Sequence, residues 1–284
     1  MIYELLVLKI KQYHTANEYW TDIGDFLLKN PIKHNIAIGQ LDATLDRNKV
    51  LTNTQLFALF ENGQPILTAF KNRPNIILYG ENYTHRHLQH LSDFFKSNGI
   101  DPKGGIGDKK LIEEFSKIYT LKYNIDKTLI GHKLEHLKSI KQSEGEIEKC
   151  NDSDLEIVSQ WLEQFWTECK LPHKPKDSEF KTMAQQRIDN ASMYKWVDEN
   201  RPVSICGEIV SNEYLSKISL VYTPPAFRNN GYAVSCVWAL SKLILERGQK
   251  TICLFTDKSN PTSNKIYREI GYIPLYEDYE ISYQ

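Results

Sequence analysis

The spacing of apolar and polar positions changes period several times along the chain, and each change marks an element. In the second half, YKWV (194–197), VSICGEIV (203–210) and KISLVY (217–222) are rich in β-branched and aromatic residues and predict three strands. A turn-like Glu199-Asn200-Arg201-Pro202 separates the first two, so an antiparallel meander is the simplest arrangement. Ala233, Val237, Leu240 and Ile244 then recur at helical spacing and stop before Gly248, which predicts a helix over about 231–247. TICLFT (251–256) is almost wholly apolar, the pattern of a strand covered on both faces. Asn260-Pro261 reads as a helix cap and first turn, with Ile266, Tyr267 and Ile270 as the apolar stripe and Gly271 as the stop. Upstream, 152–166 and 178–189 predict two helices, the first capped by Asp152 or Ser153.

The first half runs in a similar order. QLFALF (55–60), PILTAF (65–70) and NIILYG (75–80) predict strands, followed by a helix near 84–97, a glycine-rich turn GGIG (104–107) and a helix near 109–121. The polar IKQSEGE (140–146) is the expected boundary, giving domains of 1–140 and 141–284. The fold class is mixed α/β (α+β), with a central mixed, mostly antiparallel sheet flanked by helices in the second domain. The first domain is either a degenerate copy of the same unit or an α/β domain that shares a common order, and the two weigh equally. A copy would have lost its loop chemistry, because Tyr79-Gly80-Glu81-Asn82-Tyr83-Thr84 has neither an arginine nor a glycine at the matching place.

Composition narrows the function classes. With 35 basic and 36 acidic residues in 284, the formal net charge of −1 gives no global reason to expect nucleic acid or an anionic membrane as partner. A hydrophobic fraction of 41% is enough for a sizeable core. The five cysteines (Cys150, Cys169, Cys206, Cys236 and Cys253) are odd in number and lack a C-x-x-C pair, so neither a disulfide framework nor a zinc ribbon is indicated and a reducing cytoplasm fits. The opening MIYELLVLKIK is too short and too charged for a signal peptide or a membrane span.

Candidate chemistry gathers around YTPPAFRNNGYA (222–233). Two prolines end a ladder, and an Arg-x-x-Gly-x-Ala loop then opens a helix, so consecutive backbone N–H groups face outward where the helix dipole favours an anion. That is the construction of a pyrophosphate cradle, although the pattern alone also describes an ordinary turn. No dinucleotide G-x-G-x-x-G, P-loop or G-x-S-x-G string is present. His132-Lys133-Leu134-Glu135-His136 matches an inverted zinc-peptidase string if it lies on a helix, but its flanks suit a domain tail with two solvated histidines better. No metal is expected.

The run LVYTPPAFRNNGYA…LFTDKSNPTSNKIYREIGY resembles the acetyl-coenzyme A binding core of the GCN5-related N-acetyltransferase (GNAT) family, in particular its FR47-like and glycine-N-acyltransferase-like branch. The resemblance is strong over 217–273, rests on element order over 146–216, and on order alone before about 140. It implies that the amides of Arg228, Asn229, Asn230, Gly231, Tyr232 and Ala233 hold the pyrophosphate of acetyl-coenzyme A. It also implies that main-chain groups of Leu220, Val221 and Tyr222 pair with the pantetheine arm where two strands splay, that Asn260 touches the arm, and that Tyr267 sits near the sulfur as general acid. Tyr267 has a second reading as a core tyrosine. Glu208 is the candidate base, and a solvated strand glutamate reads equally well there.

The expected activity is acyl transfer from acetyl-coenzyme A to a small-molecule amine in a ternary complex, by a monomer or homodimer; a non-catalytic coenzyme A sensor is the alternative. Trp161, Phe165, Trp166, Tyr194 and Trp196, with Glu277, Asp278 and Glu280 of the tail, would suit a cationic amine. Cys253, inside an apolar strand, is expected to be inert packing.

Overall fold

A computed structural model describes residues 7–42, 50–51, 54–72, 74–120, 122–171, 174–210 and 215–284; of the opening segment, residues 1–6 lie outside this set. Contacts divide the chain into a first unit of 1–131 with 256–260 and 275–284, and a second unit of 132–255 with 261–274. The last ten residues thus pack with the first unit although the chain reaches them from the second.

The chain begins β1 (Leu8–Tyr13), α1 (Ala16–Lys29), α2 (Asn35–Asp42), β2 (Thr54–Glu61), β3 (Gln64–Asn72), β4 (Asn75–Gly80), α3 (His85–Ser97), β5 (Gly104–Asp108), α4 (Lys109–Tyr119) and β6 (Tyr123–Leu134). It continues β7 (Glu146–Lys149), α5 (Leu155–Glu168), α6 (Asp177–Asp189), β8 (Met193–Asp198), β9 (Arg201–Val210), β10 (Leu215–Tyr222), α7 (Tyr232–Glu246), β11 (Thr251–Asp257), α8 (Pro261–Ile270) and β12 (Tyr272–Tyr283). The two lists have the same order, element for element.

In the first unit, β1–β2–β3–β4 is an antiparallel run, β5 joins β4 in parallel, and the end of β12 joins β5 antiparallel. One face carries α3 and α4 over Phe57, Leu59, Ile76 and Leu78; the other carries α1 and α2 over Leu56, Ala58 and Phe70. GGIG, expected as a turn, is strand β5. Glycine is required there by proximity, since a Cβ on Gly107 would stand 2.1 Å from the Leu78 carbonyl oxygen of β4.

Asp278 of β12 lies in this unit, 2% exposed, and accepts a hydrogen bond from the Tyr79 hydroxyl at 2.9 Å. Burial raises its pKa to about 7. Because the folded pKa exceeds the unfolded one, the native state binds the extra proton, so stability is expected to fall as pH rises from about 4 to 7. Asp278→Asn should flatten that slope in urea unfolding and stabilise the protein at pH 8 by a few kcal/mol, about 4 at most.

In the second unit, β7–β8–β9–β10 is antiparallel and β11 joins β10 in parallel. Side chains alternate across it, sending Cys206 and Ile218 toward α7 and α8, and Ile205 and Met193 toward α5 and α6. Coverage on both faces explains the nearly unbroken apolar runs read as strands. The predicted helix at 152–166 begins with a single 3₁₀ turn, and its cap is Asn151 in place of Asp152 or Ser153: Ser153 N–H donates to Asn151 Oδ1 at 2.9 Å. Asp154 returns a carboxylate to Asn151 N–H and also binds the buried Lys195 ammonium at 2.8 Å.

Candidate active site

β10 and β11 run side by side only at Leu215–Lys217, against Thr251–Cys253; beyond Lys217 the pairing ends while both strands continue. On its other edge β10 breaks register with β9 between Ser219 and Tyr222, and Leu220 adopts φ +52°. A non-glycine residue in the left-handed region costs energy, and bulges of this kind turn backbone groups out of a ladder. Leu220 and Val221 thus lie on a strand with one unpaired edge. Tyr222 is anchored, its hydroxyl donating to Glu168 at 2.8 Å and its carbonyl accepting from Ser204 Oγ at 3.1 Å.

The chain then runs through a 3₁₀ turn at Pro225–Phe227 into an exposed loop and α7. Asn229 (φ +67°) and Gly231 (φ +78°) are both left-handed, and Gly231 is the N-cap of α7 without any side-chain cap. The first backbone bond of the helix is Ser235 N–H to Gly231 O at 3.0 Å. Among the described residues, no acceptor takes the N–H groups of Asn229, Asn230, Gly231, Tyr232 or Ala233. Side chains do not plug them: Arg228 turns away to Glu168 Oε2 (2.6 Å) and Thr223 O (2.9 Å), Asn230 caps Phe227 O, and Tyr232 donates its hydroxyl to Asp198. Ser143 braces the loop from behind, donating to Asn230 O at 2.8 Å and taking part in a hydrogen bond with Ser235 Oγ.

The first unit differs at the end of β4 and the start of α3. β4 and β5 pair as far as Leu78 and Gly107, and before α3 the Thr84 N–H donates to His87 Nδ1 at 3.0 Å.

Tyr267 lies on α8 at 7% exposure, its ring 6.0 Å from Tyr272 and 6.3 Å from His132. Its hydroxyl has no hydrogen-bond partner among the described residues, and burial pushes its pKa well above the ordinary phenol value. Glu208 is not a solvated strand glutamate. It is 3% exposed, with Arg247 Nη2 2.6 Å from both carboxylate oxygens and Ser216 Oγ donating at 2.8 Å. Both carboxylate oxygens are thus held by donors. Glu208→Ala should cost about 2–3 kcal/mol in chemical denaturation, the modest end for a buried ion pair because Arg247 is half exposed. Asn260 falls in the 256–260 segment of the first unit, where its N–H donates to Asp257 O.

A model of the FR47-like protein family matches residues 197–281. Among solved structures, a GNAT-family acetyltransferase from Colwellia psychrerythraea aligns with a TM-score of 0.61 at 11% identity, covering 97% of this chain and 100% of its own. A GCN5-related N-acetyltransferase from Sphaerobacter thermophilus aligns at 0.64 and 12%, covering 96% and 95%. The fold is that of the GNAT acetyltransferases. A tandem GNAT protein from the clavulanic acid biosynthesis pathway also aligns over 97% of both chains, at a TM-score of 0.56 and 8% identity. Comparison with curated proteins finds no match.

Several expectations change within this GNAT fold. The His132–His136 string is not helical: His132 and Leu134 close strand β6, and His132 is fully buried. Three or more metal-ligating side chains do not gather anywhere among the described residues. Trp161, Tyr194 and Trp196 are core, at 5%, 2% and 1% exposure, and so do not line an open surface. The tail is not an acidic lure, since Glu277 is paired with both Lys109 and Lys258 and Asp278 is buried. Cys253 is sealed and its thiol is pushed up to about 12 by burial, so it forms no thiolate at neutral pH. No helix among the described residues is long and apolar enough to cross a membrane.

Proposed function

We propose that residues 141–284 form an acetyl-coenzyme A dependent N-acyltransferase that acts on a small-molecule amine by direct transfer, and that the first unit is a copy of the same design with its cleft closed. The observation that carries the reading is the row of unused N–H groups from Asn229 to Ala233 at the mouth of α7, beside the unpaired edge of β10. In this reading Arg228 to Ala233 hold the diphosphate, and Leu220, Val221 and Tyr222 offer main-chain groups to the pantetheine amides as a neighbouring strand would.

Bound acetyl-coenzyme A supplies the activated thioester. The bulged N–H groups near Leu220 and Val221 stabilise the oxyanion that forms when an amine attacks. Tyr267, protonated throughout the neutral range, donates its proton to the departing thiolate, and no hydrogen bond must be broken first. The amine proton passes to solvent, because Glu208 is engaged by Arg247. Juxtaposition of the two substrates supplies much of the rate.

Thiol release from acetyl-coenzyme A across a panel of primary amines tests this reading, alongside calorimetric titration with coenzyme A. Tight binding with no amine accelerated would make the protein a coenzyme A sensor; absence of binding would remove both readings.

A further inference from the structure

Two of the five cysteines meet inside the second unit. Cys206 points from β9 toward α7, Cys236 lies near the start of α7, and their sulfurs are 3.1 Å apart, about 1 Å longer than an S–S bond. Both side chains are fully buried, and the Cys206 thiol also reaches the Cys236 carbonyl oxygen at 3.8 Å. The other thiols are placed differently. Cys150 packs on the α5 and α6 side with Trp161 and Met193, Cys253 is sealed within β11, and Cys169 is exposed at the end of α5.

While α7 is closed the pair is inert, because burial holds the Cys206 thiol well above its ordinary pKa and keeps reagents out. That protection depends on the first turn of α7. The turn has no side-chain cap and is held by Ser143, whose N–H donates to Ser235 Oγ at 2.8 Å, and by the Tyr232 hydroxyl on Asp198. The end of a helix opens at lower cost than its middle, and Cys236 follows Tyr232, the first residue of α7, by a single turn.

We propose that Cys206 and Cys236 form a dithiol site that closes to a disulfide by exchange with a low-molecular-weight disulfide, through opening of the first turn of α7, and that a ligand at the mouth of α7 shields the site. One cysteine thiolate attacks the disulfide R–S–S–R, a mixed disulfide forms and one R–S⁻ leaves. The second thiolate attacks the mixed disulfide, the Cys206–Cys236 bond forms and the other R–S⁻ leaves. The two protons given up by the cysteines pass through water to the leaving thiolates, so two protein thiols are oxidised and R–S–S–R is reduced to two R–SH. The dithiol stands independently of the acyl-transfer reading; only the shielding rests on it.

Oxidised glutathione is the probe, on a Cys169→Ser background so that the exposed thiol does not react. The intact mass should fall by two hydrogens, and peptide mapping without reduction should join Cys206 to Cys236. Half-oxidation should need an excess of oxidised glutathione at least about tenfold smaller for the folded protein than in urea, since the fold stabilises a bond that stabilises the fold. Cys206→Ser and Cys236→Ala, each alone, should remove the mass change, and Cys253→Ala should keep it. Saturating coenzyme A should slow closure at least about threefold by holding the first turn in place. A folded parent that stays reduced under glutathione that oxidises it in urea, or a bridge that joins Cys150 instead, overturns the dithiol site. Closure at an unchanged rate with coenzyme A bound, as calorimetry reads it, overturns the shielding. Coenzyme A that does not bind strikes the transferase reading and the shielding together, with the disulfide itself still read by mass.

Discussion

Replacing Gly231 with valine is expected to weaken coenzyme A binding at least about a hundredfold, the loss of one or two charge-assisted hydrogen bonds, while leaving the protein folded. Gly231 caps α7 at φ +78° and ψ 2°, a conformation a β-branched residue adopts only under strain of about 1–3 kcal/mol. The new Cβ would also stand 3.0 Å from Ser143 Oγ, which braces the loop through Asn230 O. Relief of either stress turns the loop amides away from their common direction. Gly248→Val is the matched control: Gly248, beyond the other end of α7, has φ +91°, and a Cβ there would meet nothing within 4 Å. It should show a comparable stability loss and undiminished binding. Calorimetry with both variants separates strain from ligand contact, and a Gly231→Val protein that binds like the parent would show that the loop has been given the wrong role.

Tyr267→Phe should lower kcat about a hundredfold with little change in affinity for coenzyme A, the lower range for loss of a general acid. Stability should shift by less than about 0.5 kcal/mol, because the hydroxyl has no partner to lose while the ring keeps its packing against Tyr272 and His132. A purely structural tyrosine would also tolerate the change but would leave kcat intact. The pH profile adds a sign. The acid acts in its protonated form and its folded pKa is raised, so the parent should lose no activity to Tyr267 ionisation between pH 7 and the ordinary phenol pKa of about 10.

Most of the second unit was legible in the sequence because its elements announce themselves locally. KISLVY, TICLFT and the stripe from Ala233 to Ile244 have clear periods, and their strands and helix fall within a few residues of expectation. Arg228 to Ala233 could be picked out because proline, glycine and a helix start lie within a dozen residues. Other features depend on distant partners. GGIG is three-quarters glycine, as a turn could be, yet is a strand, since a close neighbour at Leu78 demands glycine at position 107. β1, α1, α2, β6 and β7 were not anticipated: β6 and β7 carry charged residues at several positions, as in YNIDKT and EIEK, which blurs the alternation that marks a strand.

The roles of single polar residues were the least legible. Glu208 carries no sign in CGEIV (206–210) that Arg247, a helix away, will clamp it. Trp161, Tyr194 and Trp196 looked suited to a ligand, and the same size and apolarity made them core.

Backbone amide chemical shifts, recorded on ¹⁵N-labelled protein during titration with coenzyme A and separately with pantetheine, test most directly whether the mouth of α7 grips a diphosphate. The expected result is that Asn229, Asn230, Gly231, Tyr232 and Ala233 move with coenzyme A and stay still with pantetheine, which lacks the diphosphate, while Leu220 and Val221 respond to both. Shifts that spare residues 229–233 under saturating coenzyme A would contradict it.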